Sequence, residues 1–307
     1  METEVKKNFK VLYIAGSGRS GSTLLSRLLG EIDGFINAGE AARYLFARYK
    51  PRDLPCGCGK AVLDCPFWKD IVSDVPSLKT KELAKRYMRI RFYPFLFFFF
   101  KSRKFSNYLK IIGQELGSLY SQIATKTNGQ VIVDSSKSPD FAYLLNKNEK
   151  LELYIVHVVK DPRGVASSWS KIKAYLYPQS VIRTGAGWLI QNSIIESLRP
   201  RKIRYKRIIF EDFVANPKST LEEILTFIKS EQKDLSFIQA TKALIHSQHN
   251  LASNPDKLSE TQEISIKPRQ WELPLHKNIL VSAVTFPLLI KYYHFSRSSG
   301  KNINSKE

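Results

Sequence analysis

Residues 15–25 read AGSGRSGSTLL. Gly16 and Gly21 flank four residues that include Gly18, Arg19 and Ser20, and the hydroxyls of Ser22 and Thr23 follow. This is the spacing of a loop whose backbone amides wrap a phosphate at the N-terminus of a helix, where the helix adds its positive end. The pattern ordinarily carries a lysine directly after the second glycine, and Ser22 stands there instead. That lysine serves the β- and γ-phosphates of a triphosphate. Its loss argues against a triphosphate but not against a phosphate. Arg19 brings a forked, permanently charged donor into the loop. Gly18, Arg19, Ser20, Gly21, Ser22 and Thr23 together suit a single terminal anion such as a phosphosulfate. A merely structural glycine turn is the competing reading, and the strand before and helix after the loop weigh against it.

A second cationic turn follows the apolar run LELYIVHVV at 151–159. It reads Lys160-Asp161-Pro162-Arg163, with Ser168 on the helix beyond. Alone, a surface ion-pair cluster explains it equally well. Beside the first loop it gains meaning, because the carboxyl ends of strands in a doubly wound sheet share one crevice. One ligand with anions at two places would bridge both turns. Other reactive residues read more plainly. His157 sits inside an apolar strand, as a satisfied core histidine does. His246 and His249 are three apart on an expected helix, a thin case for zinc without a nearby carboxylate. Cys56, Cys58 and Cys65, in CGCG-x5-CPFW, have no fourth cysteine, whereas structural zinc wants four ligands. The expectation is a structural turn packed under Trp68, with no metal.

These residues need a scaffold, and the periodicity supplies one. Residues 10–16 are apolar, rich in strand formers and closed by glycine, as in a buried parallel strand. Leu24, Leu25, Leu28 and Leu29 then form a helical stripe. QVIVDSS at 130–136, the run at 151–159 and YKRIIFEDF at 205–213 are further strands, and 216–230 is an amphipathic helix opened by proline. Alternating strands and helices predict an α/β, phosphate-loop-type, three-layer fold: a mostly parallel central sheet, helices on both faces, and a largely helical insertion. The expected domain is 1–295, with the insertion at about 40–128 and a loose tail at 296–307.

The chain has 307 residues and a net charge of +20, so anionic company is expected: nucleotides, acidic sugars, nucleic acid or an anionic membrane surface. Ordinary apolar and charged fractions exclude a disordered chain. No secretory leader and no spanning run of about 18 apolar residues is read, which points to a cytoplasmic protein, peripheral to a membrane at most. An odd cysteine count argues against a disulfide framework. The run RIRFYPFLFFFFKSRK, whose aromatic part covers 92–100, suits a membrane surface, an apolar acceptor pocket or a buried helix equally. No zinc-finger, RNA-recognition or helix-turn-helix signature is present, so no specific nucleic-acid partner is expected.

GSGRSGSTLL followed by HVVKDPRGVASSW resembles the sulfotransferases that use 3′-phosphoadenylyl sulfate (PAPS), in particular their carbohydrate, tyrosylprotein and bacterial branches. The resemblance extends to Gly39-Glu40, the cysteine stretch, VDSSKSP, FEDFVANP and HNLASNP with Trp271 beyond, and spares about 70–128. It implies that Arg19 to Thr23 hold the 5′-phosphosulfate. It further implies that Lys160, Arg163 and Ser168 hold the 3′-phosphate, and that Glu40 is the base that takes the acceptor's proton. Lys137 would stabilise the bridging oxygen, with Arg19 also at the sulfonate. At Lys160 the family usually has arginine, so the bidentate fork is lost there. The implied co-substrate is PAPS and no metal is expected. The acceptor is a hydroxyl on a carbohydrate, glycolipid or other molecule, with an acidic or lipid-linked one favoured by the charge. Two alternatives stay open: a phosphate-loop nucleotide kinase or NTPase, and a basic protein that binds nucleic acid or anionic membranes.

Overall fold

The computed structural model describes residues 9–44, 55–73, 103–127, 130–148, 151–171, 178–199, 203–251, 261–266 and 271–293. The chain opens on β1 (Lys10–Gly16), α1 (Ser22–Leu29), β2 (Phe35–Gly39) and the one-turn α2 (Ala41–Tyr44). Next come α3 (Trp68–Ser73), the long α4 (Arg103–Thr127), β3 (Val131–Lys137), α5 (Pro139–Leu145) and β4 (Glu152–Val159). They lead to α6 (Pro162–Ser170), α7 (Val181–Glu196), β5 (Arg204–Ile209), α8 (Phe210–Ala215) and α9 (Pro217–Phe227). β6 (Ile238–Gln239), β7 (Lys242–Ile245) and β8 (Gln262–Ser265) form a small antiparallel sheet, and α10 (Leu275–Tyr293) ends the described chain.

The main sheet has the order β2-β3-β1-β4-β5, and every neighbouring pair is parallel. All five carboxyl ends therefore lie along one edge. β1 is central and apolar on both faces. Leu12 and Ile14 pack with Leu25, Leu28 and Leu29 of α1 and with α9, while Val11, Tyr13 and Ala15 pack toward α4 and α5. A strand covered on both sides cannot alternate polar and apolar residues, which is why its sequence reads as a continuous run. Each fully buried α1 leucine stabilises this arrangement by about 1.5–3 kcal/mol.

The strands expected at 10–16, 130–136 and 151–159 form as β1, β3 and β4. The one expected at 205–213 is strand only to Ile209; the chain then turns into α8, whose first turn carries Glu211 and Asp212. Acidic residues favour a helix N-terminus, and Phe213 and Val214 find cover from the helix. β2 was not anticipated. In the described part of the insertion, α4 buries Leu109, Ile112, Leu116, Leu119, Tyr120 and Ile123, a helical stripe facing the core. The aromatic run at 92–100 and the tail at 296–307 lie outside the described residues. Among the described residues no helix is long and apolar enough to cross a membrane.

Candidate active site

The first loop sits at the carboxyl end of β1. Gly21 has φ +93, and a Cβ there would lie 2.1 Å from the ring of Phe210, so backbone and packing both require glycine. Gly21 caps α1, whose first-turn amides lack acceptors within the helix. Arg19 has φ +70, an uncommon backbone for a side-chain-bearing residue. The Ser17 and Ser20 hydroxyls are buried without a hydrogen-bond partner. Buried hydroxyls normally have partners, so two orphans in one loop fit an anion that accepts from them. Ser22 is buried beside them and Thr23 is half-buried.

The second turn lies alongside. In the register of the sheet, Gly16 of β1 stands opposite Val158 of β4. Arg19 Nε donates to Ser168 Oγ at 3.1 Å and joins the two turns directly. Lys160 Nζ lies 4.7 Å from the centre of the Phe210 ring, the ring that also seats Gly21. Phe210 is thus a shared platform that sequence reasoning missed, because its motif read as the inside of a strand. Arg163 behaves differently. Its Nε and Nη2 bond Asp161 at 2.9 and 2.6 Å, and its guanidinium stacks 5.1 Å from Trp271. Asp161 caps α6 through the Arg163 amide and draws the Arg163 pKa upward.

Glu40 and Lys137 meet at the same edge. Lys137 Nζ lies 2.5 Å from Glu40 Oε1, with the two side chains 17% and 12% exposed. Lys137 has φ +70 in a tight turn closed by Ser138 N–H to the Ser136 carbonyl at 2.8 Å. It stands opposite Ala15 of β1, one residue from the loop. Four non-glycine residues in the described chain have positive φ, and two of them are Arg19 and Lys137. Such strain persists where surrounding structure over-determines it, and it concentrates at functional sites. The over-determination is visible in Asp134, which is fully buried. It accepts from Tyr120 Oη at 2.6 Å, the Ala42 amide at 2.9 Å and the Ser136 amide at 2.6 Å. Burial raises its pKa against these bonds. One carboxyl so ties the start of α2, next to Glu40, to the turn that holds Lys137. On the other side, the Glu40 amide donates to the Leu251 carbonyl at 2.9 Å. Gly39, at φ +67, permits this approach, since a Cβ there would lie 2.4 Å from that carbonyl.

Two further groups are separate from this edge. His157 is fully buried between Tyr205 Oη and Asn192 Oδ1, each at 2.7 Å, and burial lowers its pKa to about 4. The expected helix at 246–249 does not form; those residues have no regular secondary structure after β7. His246 leaves toward Glu31 at 2.6 Å, and His249 turns to Cys56 and Cys65. Cys56, Cys58, Cys65 and His249 together form a group that could hold a metal ion, one that no local spacing signals because its fourth member lies 184 residues from Cys65 in the chain.

Residues 12–234 match the model of the Sulfotransferase family. The sulfotransferase domain of the Synechococcus PCC 7002 olefin synthase is similar over 94% of this chain and 97% of its own, at 18% identity and a TM-score of 0.51. That likeness speaks for the fold. A sulfotransferase from Alicyclobacillus acidocaldarius shares 12% identity over 92% of this chain and 95% of its own, with a TM-score of 0.45. STF9 from Mycobacterium avium shares 11% over 72% and 64%, with a TM-score of 0.43. No curated protein sequence matches. With the central sheet, the glycine loop, the second cationic turn, Glu40 and Lys137 inside the matched span, the chain belongs to the sulfotransferase family.

Proposed function

We propose that this protein transfers the sulfuryl group of PAPS to a hydroxyl acceptor. The observation that carries this reading is the Arg19–Ser168 bond, which makes one continuous anion edge of two turns from different strands. A nucleotide with a phosphosulfate at one end and a 3′-phosphate on its ribose has anions at two such places. Gly18 to Thr23 would take the phosphosulfate, using α1 amides, the Ser17 and Ser20 hydroxyls, and Arg19. Lys160 and Ser168 would take the 3′-phosphate. Arg163, with two donors given to Asp161, would play the smaller part there and mainly hold the turn.

The chemistry asks little beyond positioning and charge. The acceptor oxygen forms its bond to sulfur as the bond from sulfur to the 5′-phosphate oxygen breaks. That electron pair stays on the departing phosphate, and 3′,5′-adenosine diphosphate leaves. Glu40 takes the proton from the acceptor hydroxyl. Lys137, which neutralises Glu40 at rest, turns its ammonium to the oxygen that gains charge. The kinase alternative needs a magnesium-holding carboxylate after β3, and Asp134 already accepts three hydrogen bonds from its own fold. We read 1–295 as one catalytic unit acting in the cytoplasm.

Calorimetric titration with 3′,5′-adenosine diphosphate in EDTA tests the nucleotide half. Micromolar binding is expected, weakened about 10- to 100-fold by Arg19→Ala, with no binding of Mg-ATP. Equal binding of Mg-ATP, or none of the diphosphate, would overturn the reading.

A further inference from the structure

Four potential ligands converge away from the anion edge. Cys56, Cys58, Cys65 and His249 place three Sγ atoms and one imidazole nitrogen within 4.8 Å of one another. The Cys58–Cys65 and Cys65–Cys56 sulfur separations are 3.7 and 3.6 Å, and His249 Nδ1 lies 3.3 Å from Cys65 and 3.8 Å from Cys56. Zinc bound to thiolates at about 2.3 Å in a tetrahedron requires sulfurs about 3.7–3.8 Å apart, with slightly shorter sulfur–nitrogen edges. The two sulfur–sulfur separations match that requirement, and the two sulfur–nitrogen separations lie on either side of it. A disulfide needs about 2.05 Å, and three thiols cannot all pair. An iron–sulfur cluster spreads its ligands around two or more irons, wider than this set.

The surroundings are built for a bound ion. Phe67 stacks on the His249 ring, with centroids 5.3 Å apart and planes 3° from parallel. Trp68 Nε1 donates to the His249 carbonyl at 2.6 Å and fixes the backbone that presents the imidazole. Gly57 lets the cysteine turn reach this backbone: a Cβ there would lie 2.2 Å from Asn250 Oδ1, and its amide bonds the Asn250 carbonyl at 2.9 Å.

The geometry points to a structural zinc site made by Cys56, Cys58, Cys65 and His249, one that clamps the 249–251 segment against the turn bearing Glu40. The mechanical link is short. Cys56 bridges Leu251, the Leu251 amide donates to the Ala38 carbonyl at 3.2 Å, and the Glu40 amide donates to Leu251. All four donors are protein ligands, so no position is left open for a reacting water, as in closed structural sites. The metal assignment stands apart from the reading of Glu40 as a base.

The test is elemental analysis of the untagged, reduced chain, followed by exchange of its metal for cobalt. About one zinc per chain is expected, with tetrahedral d–d bands and thiolate charge-transfer absorption from the cobalt form. Cys58→Ala and His249→Ala should lose both signals, while His246→Ala keeps them. A reduced wild-type chain that holds a small fraction of one equivalent and gives no cobalt spectrum overturns the site, whether or not the variants fold. A cobalt spectrum unchanged in His249→Ala overturns the fourth ligand. Hydrogen exchange reads the clamp: chelation should speed the Glu40 and Leu251 amides while sparing those of β1. Unchanged exchange at both amides would remove the link to Glu40.

Discussion

Among the glutamates that face cations, Glu40 and Glu196 are held in opposite ways. Glu40 sits just past β2 at the carboxyl edge of the sheet, beside Lys137. Glu196 ends α7, a poor place for a negative charge because the helix dipole opposes it. It is rescued by Arg207 at 3.1 Å, Lys291 at 2.7 Å and Tyr205 Oη at 3.1 Å, which come from β5 and α10. Burial alone would raise the Glu196 pKa, yet Lys291, His157 and Arg207 pull it down to about 2. A carboxylate gripped by elements on several sides joins those elements. A carboxylate at the carboxyl edge of the sheet, against a lysine on a strained turn, would, on the function proposed above, exchange its partner during the reaction.

Removing the charge at each position should separate the two roles. Glu40→Gln is expected to cut sulfuryl-transfer turnover about 10²- to 10⁴-fold with calorimetric binding of the nucleotide product unchanged. Turnover within a few-fold of wild type would end the case for Glu40 as the base. Lys137→Ala should lower turnover by about 10²- to 10³-fold if, as proposed, its cation meets the developing charge. Glu196→Gln should leave turnover of the folded fraction intact and cost about 2–4 kcal/mol in urea denaturation, because Arg207 and Lys291 lose their common partner. A variant that denatures like wild type but turns over slowly would reverse the contrast. The smallest effect is expected from Lys291→Ala, at about 0–1 kcal/mol, because that lysine is 45% exposed.

Acid should dismantle the Glu196 region in two stages. Burial keeps His157 neutral in the fold, with its pKa lowered to about 4 from an ordinary 6.5. Between those values the unfolded chain takes a proton that the folded chain refuses, so stability falls as pH drops through that window. Glu196 has its folded pKa lowered to about 2 from 4.5, so its contribution is complete above 4.5 and is lost as pH falls toward 2. Denaturation midpoints at pH 7, 5 and 3 measure both stages. Glu196→Gln should erase most of the lower one, and a midpoint flat from pH 7 to 4 in wild type would contradict the role given to His157.

Local chemistry was readable where it repeats along the chain. β1, its glycine loop and the leucine stripe of α1 follow one another within 20 residues, 10–29, and each signals itself by spacing alone. β3 and β4 were readable for the same reason: a strand buried on both faces is apolar throughout. β2 is only five residues, FINAG, and its strand character comes from pairing with β3 rather than from its own composition. The helix expected across His246 and His249 failed because tertiary partners claimed those residues. Gln248 bonds Asn37 at 2.6 Å and the Arg27 carbonyl at 3.0 Å, and Leu251 pairs with Gly39. An irregular backbone satisfied by distant neighbours leaves no periodic trace.

The sequence by itself determined the glycine loop between β1 and α1, the second cationic turn, the parallel sheet and a candidate base and cation, because backbone conformation, helix caps and strand burial act over a few residues. Only the tertiary structure decided which residues share a site. It brought Lys137 to Glu40, spent Arg163 on Asp161, set Phe210 under both turns and carried His249 to the three cysteines. The reason is that side-chain partners are chosen by packing across elements far apart in the chain. Closing those loops costs entropy that no local pattern records, and it is repaid only when the whole sheet and its helices are in place.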